Sequence, residues 1–495
     1  MTNRYLRDNF APVREELTVA DLAVTGRMPD HLDGRYLRIG PNPVDDPGEG
    51  HHWFLGDGMV HGVRLADGEA KWYRNRYVRS DRVAKQLGEP SRSAGWDNAD
   101  FAADTHVREH AGRTLALVEA GFSPYELTEE LETVGPTDFD GTLQMMGHLP
   151  AGYSAHPHED PETGELHAVS YNWLRGNRVD YTVRGTDGRI RRTVPVEVGG
   201  SPMMHDFALT ENYVVLYDLP VVFDKARAVQ GMPRALRLPA RLMMSAIIGR
   251  NPLPDPVVAR IARGSRTGGP MSTLPYSWDQ DYPARLGLLP REGGSADVRW
   301  FEIDPCFVFH TLNAYEDGEN VVIDVVRHDR MFATVLNGPD EGPATLARFT
   351  IDLAAGKVRE DRFDERSQEF PRINEGHTGR CHRFGYAVGF QDGLPGDPVL
   401  RHDLVAGNTA VRNLGAGREA SEFCFVANDD AADEADGVLM GYVFDKARGA
   451  SDLVVLDAQS LEDVAAVHLP ARVPVGFHGS WNPTSSPTPP SAVSG

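Results

Sequence analysis

Cysteine is scarce in this chain. Its 495 residues include three, Cys306, Cys381 and Cys424, far apart and in no CxxC spacing. That excludes a disulfide framework and a cysteine-pair zinc motif, and it suits a reducing compartment. Positive charge is also short: 50 Lys and Arg stand against 72 Asp and Glu, a formal net charge of -22. Phosphate backbones would repel such a surface at long range, so nucleic acid is excluded as a partner. No apolar run approaches the roughly 18 residues that a membrane-spanning helix needs. The opening MTNRYLRDNFAPVREE is polar, so no signal peptide and a cytoplasmic location are expected. Long helical periodicities are nearly missing, which disfavours a parallel α/β fold. There is no Ser-His-Asp signature, glycine-rich phosphate loop or nucleotide fingerprint.

Glycine and proline are plentiful, 50 and 35 residues, which favours many tight turns and short strands. The stretch CFVFHTLNAYEDGENVVIDVV, from Cys306 to Val326, sets the pattern. Two β-forming runs flank the turn Glu316-Asp317-Gly318-Glu319, which reads as a hairpin with His310 at the end of its first strand. The rhythm of strand, acidic or glycine turn, strand recurs in LHAVSYNWLRGNRVDYTVRGTDGRIRRTVPV, ARFTIDLAAGKVREDRF and DLVVLDAQSLEDVAAVHLP. Such even repetition suggests a β-propeller, an all-β fold, with a large sandwich or two stacked β-domains as the alternative. One segment breaks the rhythm. Around residues 223–270 the chain is Arg-rich and offers Leu236, Leu238, Leu242, Met243, Ile247 and Ile248 as an apolar surface. It reads as short helices in an insertion capping one face. It is either an ordinary lid or a patch for peripheral contact with lipid. Residues 1–483 read as one domain and the Ser/Pro-rich 484–495 as a disordered tail.

A single histidine in an apolar strand is more often a satisfied core residue than a ligand. Here four recur at or beside strand edges: His156 in SAHPHED, His205 in MMHDFALTENYVVL, His310, and His478 in VPVGFHGSWNP. No local motif spaces ligands so widely, but the inner strands of a radial fold all meet at one axis. His51, His52 and His61 flank a glycine turn and read as structural. His158 follows Pro157, which disrupts the geometry that would aim it with His156. His377, Cys381 and His382 could form a zinc site but lack a fourth partner nearby. Phe309 and Phe477 each adjoin a candidate ligand, so strand alternation should aim them away from a metal, into the core.

The motifs GRYLRIGPNP, HHWFLGDGMVHGVRL, NRYVRS, FHTLNAYEDG and EFPRIN, with the histidine segments above, resemble the carotenoid cleavage oxygenase family over nearly the whole chain. The resemblance implies a seven-bladed propeller with one non-haem Fe(II) on its axis, held by His156, His205, His310 and His478. It implies glutamates behind three of the ligands, matched by Glu119, Glu369 and Glu422. It implies cleavage of a C=C bond by O2 into two carbonyl products, in an apolar tunnel. Four neutral imidazoles leave the iron its full charge and open positions for O2. Glutamates on the outer ring nitrogens would fix tautomer and orientation. Trp53, Phe54, Tyr77, Val118 and Trp173 are the candidate tunnel residues. The stilbene-cleaving branch looks to carry Lys where this chain has Val118, so a carotenoid or apocarotenoid is the expected substrate. A stilbene or other phenylpropenoid alkene, or an isomerase-type activity, is the alternative.

Overall fold

The computed structural model describes residues 3–93, 103–120, 122–143, 152–248, 274–336, 338–429 and 431–484. Seven antiparallel sheets of four to six strands stand around one axis, a seven-bladed β-propeller. The blades follow the chain in order. Blade two runs from His106–His110 to Thr133–Pro136, blade three from His158–Glu159 to Ile190–Glu197, and blade four from Phe207–Leu209 to Arg299–Glu302. Blade five spans Phe307–Asp317 to Lys357–Asp364 and blade six Gln368–Arg372 to Asn408–Asn413. Sequential antiparallel strands need only short turns, which is what the Gly- and Asp-rich punctuation provides.

Blades one and seven exchange strands. Gly479–Pro483 pairs with Gly34–Pro41 in blade one, and Val24–Gly26 pairs with Asp463–His468 in blade seven. The ring is thereby stitched on both sides of one seam. Tyr36, Val63 and Tyr73 of blade one pack against Met440, Tyr442 and Val455 of blade seven across it, all buried. Fully burying each such side chain contributes on the order of 2 kcal/mol, so the seam is a hydrophobic interface as well as a hydrogen-bonded one.

The hairpin expected around His310 is present, with Asp317 paired to Asn320 and Gly318 at φ +59° in the turn. Its first strand, Phe307–Asp317, is longer than expected: His310 is its fourth residue and not its end. The insertion holds helices Lys225–Ala228 and Arg234–Ile248. Leu236, Leu238, Leu242 and Met243 are exposed on the second, whereas Met244 and Ile247 are buried. The rest of that insertion, 249–273, lies outside the described residues, as does 485–495 of the expected tail. Thr484 is tied to Asp33 through both its N–H and its hydroxyl.

Candidate metal centre and its two cavities

Three of the four histidines stand just before the inner strands of their blades, and the fourth lies within one. His156 precedes His158–Glu159, His205 precedes Phe207–Leu209, and His478 precedes Gly479–Pro483. The loop of His478 reaches the axis because two glycines let backbones touch. A Cβ on Gly40 would lie 2.4 Å from the Cα of Gly476, and one on Gly479 would lie 2.3 Å from the carbonyl oxygen of Leu37. That explains the glycines of GRYLRIGPNP and VPVGFHGSWNP in terms of position.

The four imidazoles converge, each offering a ligand atom within 4.8 Å of the others. Ring centroids lie 4.3 Å apart for His156 and His205 and 4.7 Å for His310 and His478. Carboxylates stand behind them. Glu369 Oε2 lies 2.6 Å from His310 Nδ1, and Glu422 Oε1 lies 2.8 Å from His478 Nδ1. Glu119 sits between the other two, 3.3 Å from His156 Nε2 and 3.5 Å from His205 Nδ1. Burial would push all three carboxyls up, yet each is held below its ordinary range. For Glu119 and Glu369 the facing imidazoles outweigh burial, and for Glu422 Arg372 and then His478 do so.

Ionised Glu369 and Glu422 can only accept, so each fixes a proton on the Nδ1 it faces. The two Nε2 atoms then turn lone pairs toward each other, 3.1 Å apart. Two nitrogens bound at about 2.1 Å to one ion at right angles stand about 3 Å apart. The donor set thus fits a metal ion. The same field shows in His310, where burial acts downward but Glu369 outweighs it and raises the pKa.

Each carboxylate has its own backing, which the sequence did not disclose. Tyr171 donates its hydroxyl to Glu119 (2.8 Å), and His328 Nε2 lies 2.8 Å from Glu369 Oε1. Arg372 grips Glu422 with two nitrogens, at 3.0 and 3.1 Å. Arg372 lies in EFPRIN beside Glu369, so its motif was visible although its partner was not. His158 bonds Asp206 (2.8 Å) and is not part of the four-histidine group. His377, Cys381 and His382 form no metal-holding cluster among the described residues. His377 instead donates to the Cys381 carbonyl oxygen, at 3.0 Å.

A cavity of about 180 Å³ opens on His205, His310 and His478. Trp53, Phe54, Val118 and Trp173 line it, and Tyr77 does not. Tyr77 is buried with Met59 and Val83, its hydroxyl donating to the Val13 carbonyl oxygen and accepting from Asn42. Phe309 and Phe477 correct the alternation argument, because both line this cavity. The pairing of Phe307–Asp317 with its neighbour shifts register between Val308 and Thr311, and Phe477 precedes its strand, so neither obeys period two.

The sequence model of the family described as retinal pigment epithelial membrane protein matches residues 10–483. A carotenoid cleavage oxygenase of Mycobacterium tuberculosis is 53% identical over 98% of both chains. A carotenoid 9,10(9',10')-cleavage dioxygenase 1 of Pisum sativum is 31% identical, over 97% of this chain and 90% of its own length. Among solved structures, lignostilbene dioxygenase of Pseudomonas brassicacearum superposes with TM-score 0.78 at 26% identity, over 98% of this chain and 99% of its own. The cobalt-substituted ACO of Synechocystis shares the fold, with TM-score 0.76 at 23% identity over 96% of this chain and 97% of its own.

Proposed function

The chain belongs to the carotenoid cleavage oxygenase family, the one described by retinal pigment epithelial membrane protein, and from that premise we propose that it uses one ferrous ion and O2 to split a C=C bond of a carotenoid or apocarotenoid into two carbonyl products. The observation that carries this reading is the convergence of four imidazoles, three of which, His205, His310 and His478, open on an apolar cavity. His156, His205, His310 and His478 would hold the ion, with Glu119, Glu369 and Glu422 setting their tautomers. Ferrous iron bound there supplies activation of O2 for addition across an alkene.

The chain's own residues do the rest. Trp53, Phe54, Phe309 and Phe477 form one side of the cavity, with Phe54 edge-on to both phenylalanines at 5.8 and 5.7 Å between centroids. Trp173 stacks on Phe223 at 4.8 Å on another side. These rings would seat a conjugated chain by its faces and exclude water from the reacting bond. No Lys or Arg lines the cavity among the described residues. A phenolate would find no cation there, which favours a polyene over a hydroxystilbene. The likeness to lignostilbene dioxygenase keeps stilbene cleavage as the second reading. The helix Arg234–Ile248 packs against the turn Trp173–Arg175, and its exposed leucines suit peripheral contact with a lipid surface holding the substrate.

The test is incubation of iron-loaded protein with carotenoids, apocarotenals and stilbenes under labelled O2. Label in aldehydes from a polyene is expected. Products without label would mean an isomerase, and cleavage of stilbenes alone would move the substrate to the second reading.

A further inference from the structure

A second cavity, of about 80 Å³, also meets the four-histidine centre. It shares His310 and His478 with the apolar one and otherwise has separate walls. Residues that follow three of the histidines line it: Pro157 to Glu159, Asp206, and Thr311 to Ala314. Its character is opposite. Glu159 and Glu375 line it with side chains 40% and 55% exposed, while His106 lines it at 6% exposure. Carboxylates therefore stand at the mouth and imidazoles at the floor.

His106 is the group left over. Its Nδ1 lies 2.9 Å from the Ala155 carbonyl oxygen, which can only accept, so Nδ1 holds the proton and Nε2 a lone pair. That Nε2 is buried without a hydrogen-bond partner in the protein. The ring is 5.6 Å from that of His478, centroid to centroid. A backbone carbonyl fixing one nitrogen while the other waits is how metal-binding histidines are commonly prepared. The carboxylates on this wall are each paired: Glu159 with Arg108, Asp206 with His158, Glu375 and Glu422 with Arg372.

We propose that this chamber is the entry path for a hydrated divalent cation, and that His106 is the imidazole which takes the ion from water and passes it to the four histidines. The inference rests on the reading of those histidines as metal ligands. A divalent ion cannot shed its water in the aromatic cavity, which offers an unpaired charge too little to replace its hydration. At about 30 Å³ per water the polar chamber has room for roughly three, so the ion can exchange water for imidazole stepwise. Its four carboxylates, Glu159, Asp206, Glu375 and Glu422, outnumber its two arginines, Arg108 and Arg372, so the field of the chamber as a whole favours a cation.

Chelator-stripped full-length protein, mixed with Co(II) in a stopped-flow instrument, tests this through the visible absorption of bound cobalt. The combined change Glu159→Gln and Glu375→Gln is expected to slow uptake about tenfold at low salt, with the difference shrinking as salt rises. Final stoichiometry stays at one ion per chain. His106→Phe is expected to slow uptake without lowering that stoichiometry. Because its hydrogen bond to Ala155 is lost, the exposed Glu375→Gln serves as the variant least able to perturb folding. Uptake rates equal to the unaltered protein in all variants would overturn the path while leaving the four-histidine site standing. No cobalt bound by the unaltered protein at equilibrium would overturn both.

Discussion

Histidines stand in two settings in this molecule, and comparing them shows what sets the proposed ligands apart from the braces. Inside the blades, His61 and His167 each put Nδ1 against a tyrosine hydroxyl, 2.9 Å from Tyr73 and 2.7 Å from Tyr181, rings stacked. On the axis, His310 and His478 put Nδ1 against carboxylates instead. A neutral hydroxyl satisfies an imidazole and leaves it neutral. A carboxylate also fixes the proton and makes the far nitrogen a stronger donor toward a cation. Burial pushes His61 and His167 down to about 3 and His478 to about 4, whereas at His310 Glu369 reverses its effect. Burial alone is therefore no mark of function; a carboxylate behind the ring together with a far nitrogen turned toward another imidazole is.

The comparison breaks first on metal content. His478→Ala is expected to take bound iron from one per chain to near none, and His167→Phe to leave it unchanged, by elemental analysis after anaerobic loading. If both variants kept iron, the contrast would be wrong. Next in size is Arg372→Met, which leaves the Glu422 carboxylate buried without its cation. A loss of about 3–5 kcal/mol in chemical denaturation is expected. Glu369→Gln keeps shape and removes charge from behind His310. Metal affinity should fall about 10–100-fold in competition with a chelator, with little change in apoprotein stability.

The brace histidines predict the acid behaviour. Their folded pKa lies below the unfolded value near 6.5, so the unfolded chain binds more protons between about 3 and 6.5. Their contribution is fully present above about 6.5 and is lost as pH falls, at most about 1.4 kcal/mol per pH unit for each. Denaturant titrations should show a shallower acid slope for His61→Gln with His167→Gln than for the unaltered protein. The smallest effect is on the helix surface: Leu238→Ser with Leu242→Ser should change stability by less than about 0.5 kcal/mol. It should nonetheless reduce flotation with liposomes, and unchanged flotation would leave that helix a plain lid.

The blade rhythm and the four axial histidines were legible in the sequence because turns and strand edges leave local marks. Gly318 and its acidic neighbours announce a hairpin, and an imidazole in FVFHTL stands out against its apolar neighbours. What stayed hidden depends on which strands become neighbours across the ring. Nothing near Arg372 points to Glu422, nor near His328 to Glu369, since those pairings exist only once blades five, six and seven are in place. Phe309 was misplaced because a period-two argument ignores a register shift. Tyr77 was misplaced because a motif residue can serve its own blade and not the cavity.

The closing strand Gly479–Pro483 begins one residue after His478. Three of the axial imidazoles belong to segments made earlier, but the fourth reaches the centre only when that strand docks beside Gly34–Pro41. An ion gripped by all four therefore acts as a clasp across the weld. It should resist opening of the annulus there, so amides along this last strand are expected to exchange with solvent far more slowly in holoprotein than in apoprotein.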